Sequence, residues 1–250
     1  MKMLAQMLCM ISLCAALSAC ASNGIKEWKE EVLLHDGSKL IVERSVERGG
    51  RHEIGQEPPI KEQSLTFVLP GTSQNVTWED KFTADVGGAN FLPMQLEISK
   101  DTPYLVVVPM GCLAYNKWGR PNPPYVVFKY QGGAWQRIPL RELSAELTIP
   151  NMIFSSPDTE ARKSGQRVVS AETIKTLYGR YKQPEYRTIL RKPLANASGR
   201  CGELVYDGNG GWIGMGWFRD QPTYEACLKY CERKQMDAQY CPCGTLFKGK

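Results

Sequence analysis

The chain has 250 residues, with 31 lysines and arginines, 26 aspartates and glutamates and two histidines, and its formal net charge is +5 at pH 7. This excess of positive charge is mild for the length. The densest basic stretch, residues 44–51, follows Glu43 and itself contains Glu47. Because nucleic-acid-binding proteins concentrate lysine and arginine on one face or element, the composition argues against a nucleic-acid partner.

The first residues have the pattern of an export signal. Lys2 gives a basic start, an apolar run covers residues 3–17, and the small residues Ser18 and Ala19 lead into Cys20. The run is too short and wrongly flanked for a stable membrane span. Cleavage at another position and a retained signal anchor are the alternative interpretations of this segment.

The end of that signal, Leu17-Ser18-Ala19-Cys20, resembles the lipobox of bacterial lipoproteins. The resemblance covers residues 1–20 and implies that Cys20 is the lipid-modified first residue of the mature protein, with enough hydrocarbon for stable anchoring. Ala21 stands where an aspartate would mark retention at the inner membrane, so it favours the outer membrane. We therefore expect a lipid-anchored protein of the bacterial envelope.

Changes in composition divide the chain into five segments. About 230 mature residues are enough to bury a sizeable core, in one large domain or two small ones. We predict a cleaved signal peptide (1–19), a lipidated tether (20–24), a β-rich domain (25–150), a connecting segment (151–198) and a disulfide-stapled C-terminal region (199–250).

The β-rich domain is predicted to begin with a hairpin. Strand-like runs at residues 31–34 and 39–42 flank Asp36 and Gly37, and glycine accepts the positive φ that a tight turn requires. Many short strands separated by glycine and proline are typical of antiparallel sheets. Further strand-like runs cover residues 64–69, 75–78, 93–98, 104–108, 125–130 and 134–138. The sequence predicts a mainly β fold, either an antiparallel sandwich or a barrel-like sheet.

The connecting segment, residues 151–198, differs from the β-rich domain in composition. Residues 154–167 are polar and poor in large apolar side chains, which predicts a loop. Ser170 is suited to cap a helix that begins near Ala171 and is ended by Pro184. Residues 185–190 have the pattern of one more strand.

Six cysteines remain once the signal and Cys20 are set aside, an even number that suits disulfides in an exported protein. They are Cys112, Cys201, Cys227, Cys231, Cys241 and Cys243. One short helix over residues 223–234 would put Cys227 and Cys231 on one face, opposite Cys241 and Cys243. That leaves Cys112 and Cys201 for a long-range bridge. A four-thiolate zinc site is one alternative, although one residue between Cys241 and Cys243 is tighter than usual zinc spacing. Redox-active or unpaired thiols are the other.

Acid–base chemistry has few candidates in this sequence. The two histidines, His35 beside the predicted turn and His52 in a loop, lie outside the hydrolase, zinc-protease and phosphate-binding motifs. We predict no catalytic residue, cofactor or metal ligand, and we interpret both histidines as surface residues. A carboxylate pair drawn from distant segments would instead make the protein a periplasmic glycan or peptide hydrolase.

Four residues are candidates for binding. Trp118 and Arg120 lie in a proline-rich stretch and are of types enriched at binding hot spots, although the stretch is equally suited to bracing the fold. Trp212 and Trp217 alternate with glycines, where aromatic faces would suit a sugar or an apolar peptide group, or would fill a small core. The leading hypothesis is a non-enzymatic lipoprotein that binds an envelope protein or polymer. A structural subunit of an envelope assembly is a further alternative.

Overall fold

The computed structural model describes residues 25–50, 52–195 and 201–247, so the predicted signal, the tether and Cys20 lie outside the described residues. The first four strands form one antiparallel sheet in chain order. The predicted turn closes this sheet's first hairpin, with Gly37 at φ +86° and the Leu34 N–H donating to the Ser38 carbonyl at 2.9 Å. The strands are β1 (Lys26–Leu33), β2 (Lys39–Arg48), β3 (Ile60–Val68) and β4 (Asn75–Asp80).

A second four-stranded antiparallel sheet follows, again in chain order. Its last hairpin turns at Gly132 and Gly133, both with positive φ, and pairs Gln131 with Ala134. Glycine tolerates this conformation without steric cost. The strands are β5 (Phe91–Ser99), β6 (Thr102–Pro109), β7 (Val126–Gln131) and β8 (Ala134–Ile138).

The two sheets pack face to face. Alternate residues of each strand point into a shared core in which Leu65 and Trp78 of the first sheet meet Leu96, Leu105 and Phe128 of the second. This alternation is the period-two pattern expected of half-buried strands. The predicted mainly β fold is confirmed, and among the predicted forms it is the sandwich.

The second sheet is covered on its outer face as well. Residues 139–190 wrap over it, and Leu147, Ile174 and Ile189 from this segment pack against Val106 and Val127. A strand buried on both faces needs apolar residues at every position. This explains why β6 is apolar throughout its second half.

Helices are short and lie outside the two sheets. Ser170 caps α3, as predicted, by accepting from the Thr173 N–H. None of the helices in the described ranges combines the length and apolarity needed to cross a membrane. The first three are α1 (Gly111–Lys117), α2 (Pro157–Ser164) and α3 (Ala171–Tyr178).

Two local predictions for the connecting segment are wrong. Residues 154–167 are not a loop throughout, because α2 forms there and its polar Asp158 and Thr159 are buried against partners on distant segments. Residues 185–190 are not a strand. A 3₁₀ helix covers Pro184–Tyr186. The Ile189 N–H donates to the Thr148 carbonyl at 2.8 Å, so this backbone group bonds to a loop residue and not to a neighbouring β-strand.

The C-terminal region is a small unit with its own core, built around Phe218, Met236 and three of the cysteines. The predicted helix is present as α5, capped by the Thr223 side chain. A two-stranded sheet and two four-residue helices accompany it. These elements are β9 (Leu204–Tyr206), β10 (Trp212–Gly214), α4 (Gly216–Arg219), α5 (Tyr224–Arg233) and α6 (Cys243–Leu246).

All six cysteines in the described residues are paired in disulfides. Cys227 and Cys231, one turn apart on α5, bond to Cys243 and Cys241, while Cys112 bonds to Cys201 across 89 residues of sequence. The Cys227–Cys243 and Cys231–Cys241 disulfides lie close together, since the sulfurs of Cys231 and Cys243 are 3.6 Å apart. With each sulfur bonded to another, these residues staple the unit, as the cysteine spacing predicts.

A buried ion pair fixes the first sheet to the segment that wraps the second. Glu30 on β1 and Arg44 on β2 are almost completely buried and meet at 3.0 Å. Arg44 also donates to the Ile153 carbonyl at 2.6 Å, and Glu30 accepts from the Ile153 N–H at 3.1 Å. The Trp28 indole donates to Glu30 at 2.6 Å. Both buried charges are therefore hydrogen-bonded to partners within the protein.

Replacing Arg44 with methionine is expected to destabilise the fold by about 3–5 kcal/mol, because it leaves the Glu30 carboxylate buried without its partner. The free energy of unfolding is measured by urea titration. Adding Glu30→Gln to the same chain removes the unpaired charge and should recover part of the loss. Lys29→Met, which breaks an exposed pair with Glu43, should cost less than about 1 kcal/mol. Equal losses in the two single variants would contradict this assignment.

A second ion pair holds α2 on the sheet and makes stability depend on pH. Arg48 binds both carboxylate oxygens of Asp158, at 2.9 and 2.6 Å. Burial raises the pKa of Asp158, but the hydrogen bonds and charge of Arg48 outweigh burial and leave that pKa below its ordinary value. A lowered pKa in the folded state stabilises the fold above the unfolded-state pKa, and this contribution is lost as the pH falls through the folded-state pKa.

We therefore expect Asp158→Asn to lower the free energy of unfolding at pH 7. The difference from the wild type should stay constant down to about pH 5 and shrink below about pH 4, where the unfolded-state aspartate becomes protonated. Urea titrations of both proteins at pH 7, 5 and 3 measure it. A difference that is the same at pH 3 and pH 7 would contradict this role for Asp158.

Candidate functional site

A wide opening lies between the two sheets, where β4 and β8 run along the same side of the sandwich. Trp135 on β8 reaches across it and donates its indole N–H to the Thr77 carbonyl on β4 at 2.8 Å. Beyond this bridge is a cleft of about 730 Å³, within the size range of ligand sites. Its lining consists of Thr77, Trp78, Glu79, Asp80, Lys81, Thr83, Asn90, Phe91, Trp118, Phe128 and Trp135.

The floor of the cleft is aromatic. Phe91 lies at the centre, with its ring centroid 4.6 Å from that of Trp118 and 5.5 Å from that of Phe128. Trp78 completes the group, 6.3 Å from Phe91. Tilted and edge-on contacts of this kind stabilise aromatic clusters beyond the area they bury. The floor is therefore rigid and apolar before any ligand arrives.

Trp118, one of the predicted binding residues, forms a wall of this cleft. Its indole N–H donates to the Asn90 side chain at 3.2 Å, and the Arg137 guanidinium lies over its ring, 5.4 Å from the centroid. Arg137 also donates to the Trp118 carbonyl at 3.2 Å. These contacts fix the ring while leaving it half-buried at the opening.

The opposite wall is the outer edge of β4. In the described residues this strand is paired only with β3. Successive residues of a strand direct their backbone groups to opposite edges. Since the Thr77 carbonyl is bound by Trp135 across the cleft, the N–H and C=O groups of Thr77 and Glu79 point into the cleft, whereas those of Trp78 pair with β3. This wall therefore presents peptide groups to a ligand.

Asp80 is buried at the end of that wall and is used by the fold. It accepts hydrogen bonds from the backbone N–H groups of Asn90 and Phe91, at 2.8 and 2.7 Å, and from the Asn90 side chain at 3.1 Å. Burial nevertheless raises the pKa of Asp80 above its ordinary value, against these hydrogen bonds. The carboxylate fixes the start of β5 and with it the position of Phe91.

The carboxylates of the cleft do not form a hydrolytic pair. Glu79 and Asp80 are adjacent in an extended strand, so their side chains point to opposite faces of the sheet. Glu79 is exposed and bound to Lys81 at 3.2 Å. Glycoside hydrolysis needs two carboxyl groups facing one bond from opposite sides. This arrangement does not provide that geometry.

His35, beside the first turn, contacts a buried carboxylate of the second sheet, which its sequence position does not indicate. The Glu97 carboxylate on β5 is 3.0 Å from the His35 Nδ1 and accepts from the His35 backbone N–H at 3.1 Å. Burial is the main effect on Glu97 and raises its pKa. The pair ties the first hairpin to the second sheet. His52 lies exposed in the β2–β3 loop.

The other three predicted binding residues lie outside the cleft lining. Arg120 donates to the carbonyls of Cys201 and Gly202, both at 2.9 Å, and thereby braces the C-terminal unit. Trp212 donates to the Asp85 carbonyl at 2.6 Å and holds the same unit to the β4–β5 loop. Trp217 is 63% exposed on α4. The structure thus brings Trp118 alone of the four to the cleft.

Sequence reasoning missed the rest of the aromatic group. Trp78, Phe91, Phe128 and Trp135 come from four different strands, and each fits the ordinary pattern of an inward-facing strand residue. Nothing in that pattern marks the side of a sandwich that stays open. The one local pattern that indicates this cleft is Trp118 in the proline-rich stretch 116–125, and the sequence predicts it as a binding residue.

No protein-family model, no curated protein and no solved structure matches the chain.

Proposed function

We propose that this protein is a non-enzymatic binding module, tethered by lipid at Cys20 to a bacterial envelope membrane, with the outer membrane favoured by Ala21. Its cleft between β4 and β8 takes an extended segment of a partner protein. The observation that carries the proposal is the pairing of an open strand edge with an aromatic floor. The three disulfides, which are stable in an oxidising compartment, support the envelope location.

The backbone edge of β4 favours a peptide over a sugar. Sugars are held by side chains with free hydrogen-bonding capacity, but the Asp80 and Asn90 side chains in this cleft already bond within the fold. The Trp135 indole occupies the Thr77 carbonyl, which leaves the Thr77 N–H and the N–H and C=O of Glu79 directed at the opening. An extended peptide offers matching donors and acceptors and would add a strand to the sheet.

The aromatic floor supplies the remaining affinity. A partner strand alternates its side chains between two faces, so every second one would point at the ring of Phe91 or Trp118. Aromatic anchors in desolvated pockets dominate the energy of protein interfaces. We therefore expect a partner segment with an apolar side chain at its centre.

Anchoring is tested at the predicted lipidation site. Cys20→Ser should abolish acylation, because the sulfur is the atom that carries the diacylglycerol in lipoproteins. Metabolic labelling with a palmitate analogue reports the modification, and fractionation reports the membrane association. Continued labelling of the serine variant would contradict a lipid on Cys20.

Partner binding is tested by photocrosslinking in cells that express the full chain. A benzophenone amino acid at Lys81, an exposed residue of the cleft wall, should form a protease-sensitive adduct of defined mass. The same amino acid at Thr176, exposed on α3 outside the cleft lining, serves as the control and should not. An adduct sensitive to a muramidase instead would contradict a peptide ligand.

The role of the strand edge is tested in the same cells by Glu79→Pro. This change removes an N–H that faces the cleft, whereas the ladder with β3 is retained, because proline is tolerated where its nitrogen faces outwards on an edge strand. Loss of one hydrogen bond costs about 1 kcal/mol, roughly fivefold in affinity, and the adduct should fall accordingly. Glu79→Ala keeps the N–H and should keep the adduct. Equal yields from both variants would contradict strand addition.

A further inference from the structure

Three large apolar side chains are exposed at one end of the first sheet. Ile25 is 65% exposed, Phe82 is 45% exposed and Ile54 is fully exposed. Ile25 precedes β1, Ile54 lies in the β2–β3 loop, and Phe82 lies just after β4. Because neighbouring strands of this sheet run in opposite directions, these three points of the chain meet at the same end. We name it the tether end.

The strand register places these points together. Lys26, the first residue of β1, pairs with Val46 near the end of β2, and Arg48 at that end pairs with Ile60, the first residue of β3. Asp80, the last residue of β4, pairs with Gln63 near the same end of β3. Exposed apolar groups from three separate chain segments therefore lie at the same end of the sheet, and clustering of this kind marks an interaction site more often than isolated surface residues do.

The length of chain before the described part ties this end to a membrane. Four residues, 21–24, separate the predicted lipidation site Cys20 from Ile25, so five Cα–Cα steps join the two residues. A fully extended chain gains at most about 3.5 Å per residue, so this tether reaches about 17 Å at most. The far end of β1 lies about 23 Å further on, at 3.3 Å per residue of strand. Only the tether end is kept close to the bilayer by covalent connection.

We infer that the tether end docks on the phospholipid surface, with Ile25, Ile54 and Phe82 entering the headgroup region. This inference rests on the proposed lipid anchor. Three lysines at this end are each paired with a carboxylate: Lys26 with Asp158 at 4.0 Å, Lys61 with Glu47 at 2.9 Å and Lys81 with Glu79 at 3.2 Å. Paired charges reduce electrostatic repulsion from an anionic headgroup layer. Apolar contact then supplies the attraction, as it does for interfacial anchors.

The opposite end of the sandwich provides a matched control. Ile149 is 73% exposed and borders the groove beside Leu33, the last residue of β1. It is the same residue type with comparable exposure, but it lies away from the tether. If the lipid surface attracted any exposed isoleucine, it would contact both Ile54 and Ile149. If the tether directs the docking, the lipid surface contacts Ile54 and not Ile149.

The test uses the full lipidated chain reconstituted in vesicles of phosphatidylethanolamine and phosphatidylglycerol. Ile54→Cys and Ile149→Cys variants are labelled with a nitrobenzoxadiazole dye after the native disulfides have formed. We expect the dye at position 54 to shift to shorter wavelength on reconstitution and to be quenched by spin-labelled lipid. The dye at position 149 should keep its emission in water and escape quenching.

The remaining outcomes separate the docking from the anchor. A protein that floats with the vesicles while position 54 keeps its emission in water would overturn the docking and leave the anchor intact. Quenching at position 149 that equals or exceeds that at 54 would overturn it as well. A protein that fails to float would contradict the lipid anchor and the docking together.

Discussion

The buried Glu30–Arg44 pair is the interaction on which the rest of the architecture depends. It places two opposite charges in the interior, where each meets the other and also the Ile153 peptide. The Ile153 peptide, bound from both sides, holds the wrapping segment 139–190 in place. A buried pair of this kind adds little net stability but penalises any packing that separates its members. It therefore selects one register and one position of the segment.

That constraint decides which strand edges are covered. Val169, in the wrapping segment, bridges to β1 through two backbone hydrogen bonds, the Glu31 N–H to its carbonyl at 2.8 Å and its own N–H to the Lys29 carbonyl at 2.9 Å. The first edge of the first sheet is thereby protected. At the other side, among residues 25–50, 52–195 and 201–247, only Trp135 bonds to an outward-facing backbone group of β4, the Thr77 carbonyl. Native proteins usually cover or block a strand edge to avoid unwanted pairing. An edge left open beside a rigid aromatic floor is more consistent with a binding site.

The fold was largely predictable from the sequence, and the site was not. Strands, the Asp36-Gly37 turn, the Ser170 cap and the disulfide pairing each depend on local spacing or local backbone conformation, which sequence patterns record directly. Helix α2 was missed because its stability comes from Arg48 and Glu57, which bind Asp158 and Thr159 across about 100 residues of chain. The supposed strand at 185–190 has the right residue types but no neighbouring edge to pair with. The cleft is a property of how two sheets meet, and only Trp118 marked it.

The tether and the cleft constrain each other. Under the proposed anchoring, β1 would run away from the membrane and β4 would run back towards it. The β4 edge would then be roughly perpendicular to the plane of the bilayer. In that orientation Asp80 would be at the membrane-proximal end of β4, followed by Lys81, and Asn75 would be at its distal end. A cleft in this orientation opens sideways. A partner strand added along β4 would then run roughly perpendicular to the bilayer. A polypeptide that emerges from the same membrane, or enters it, has that direction. Under the proposed anchoring, the short tether would restrict partners to segments within a few strand lengths of the bilayer, without any contact between lipid and ligand.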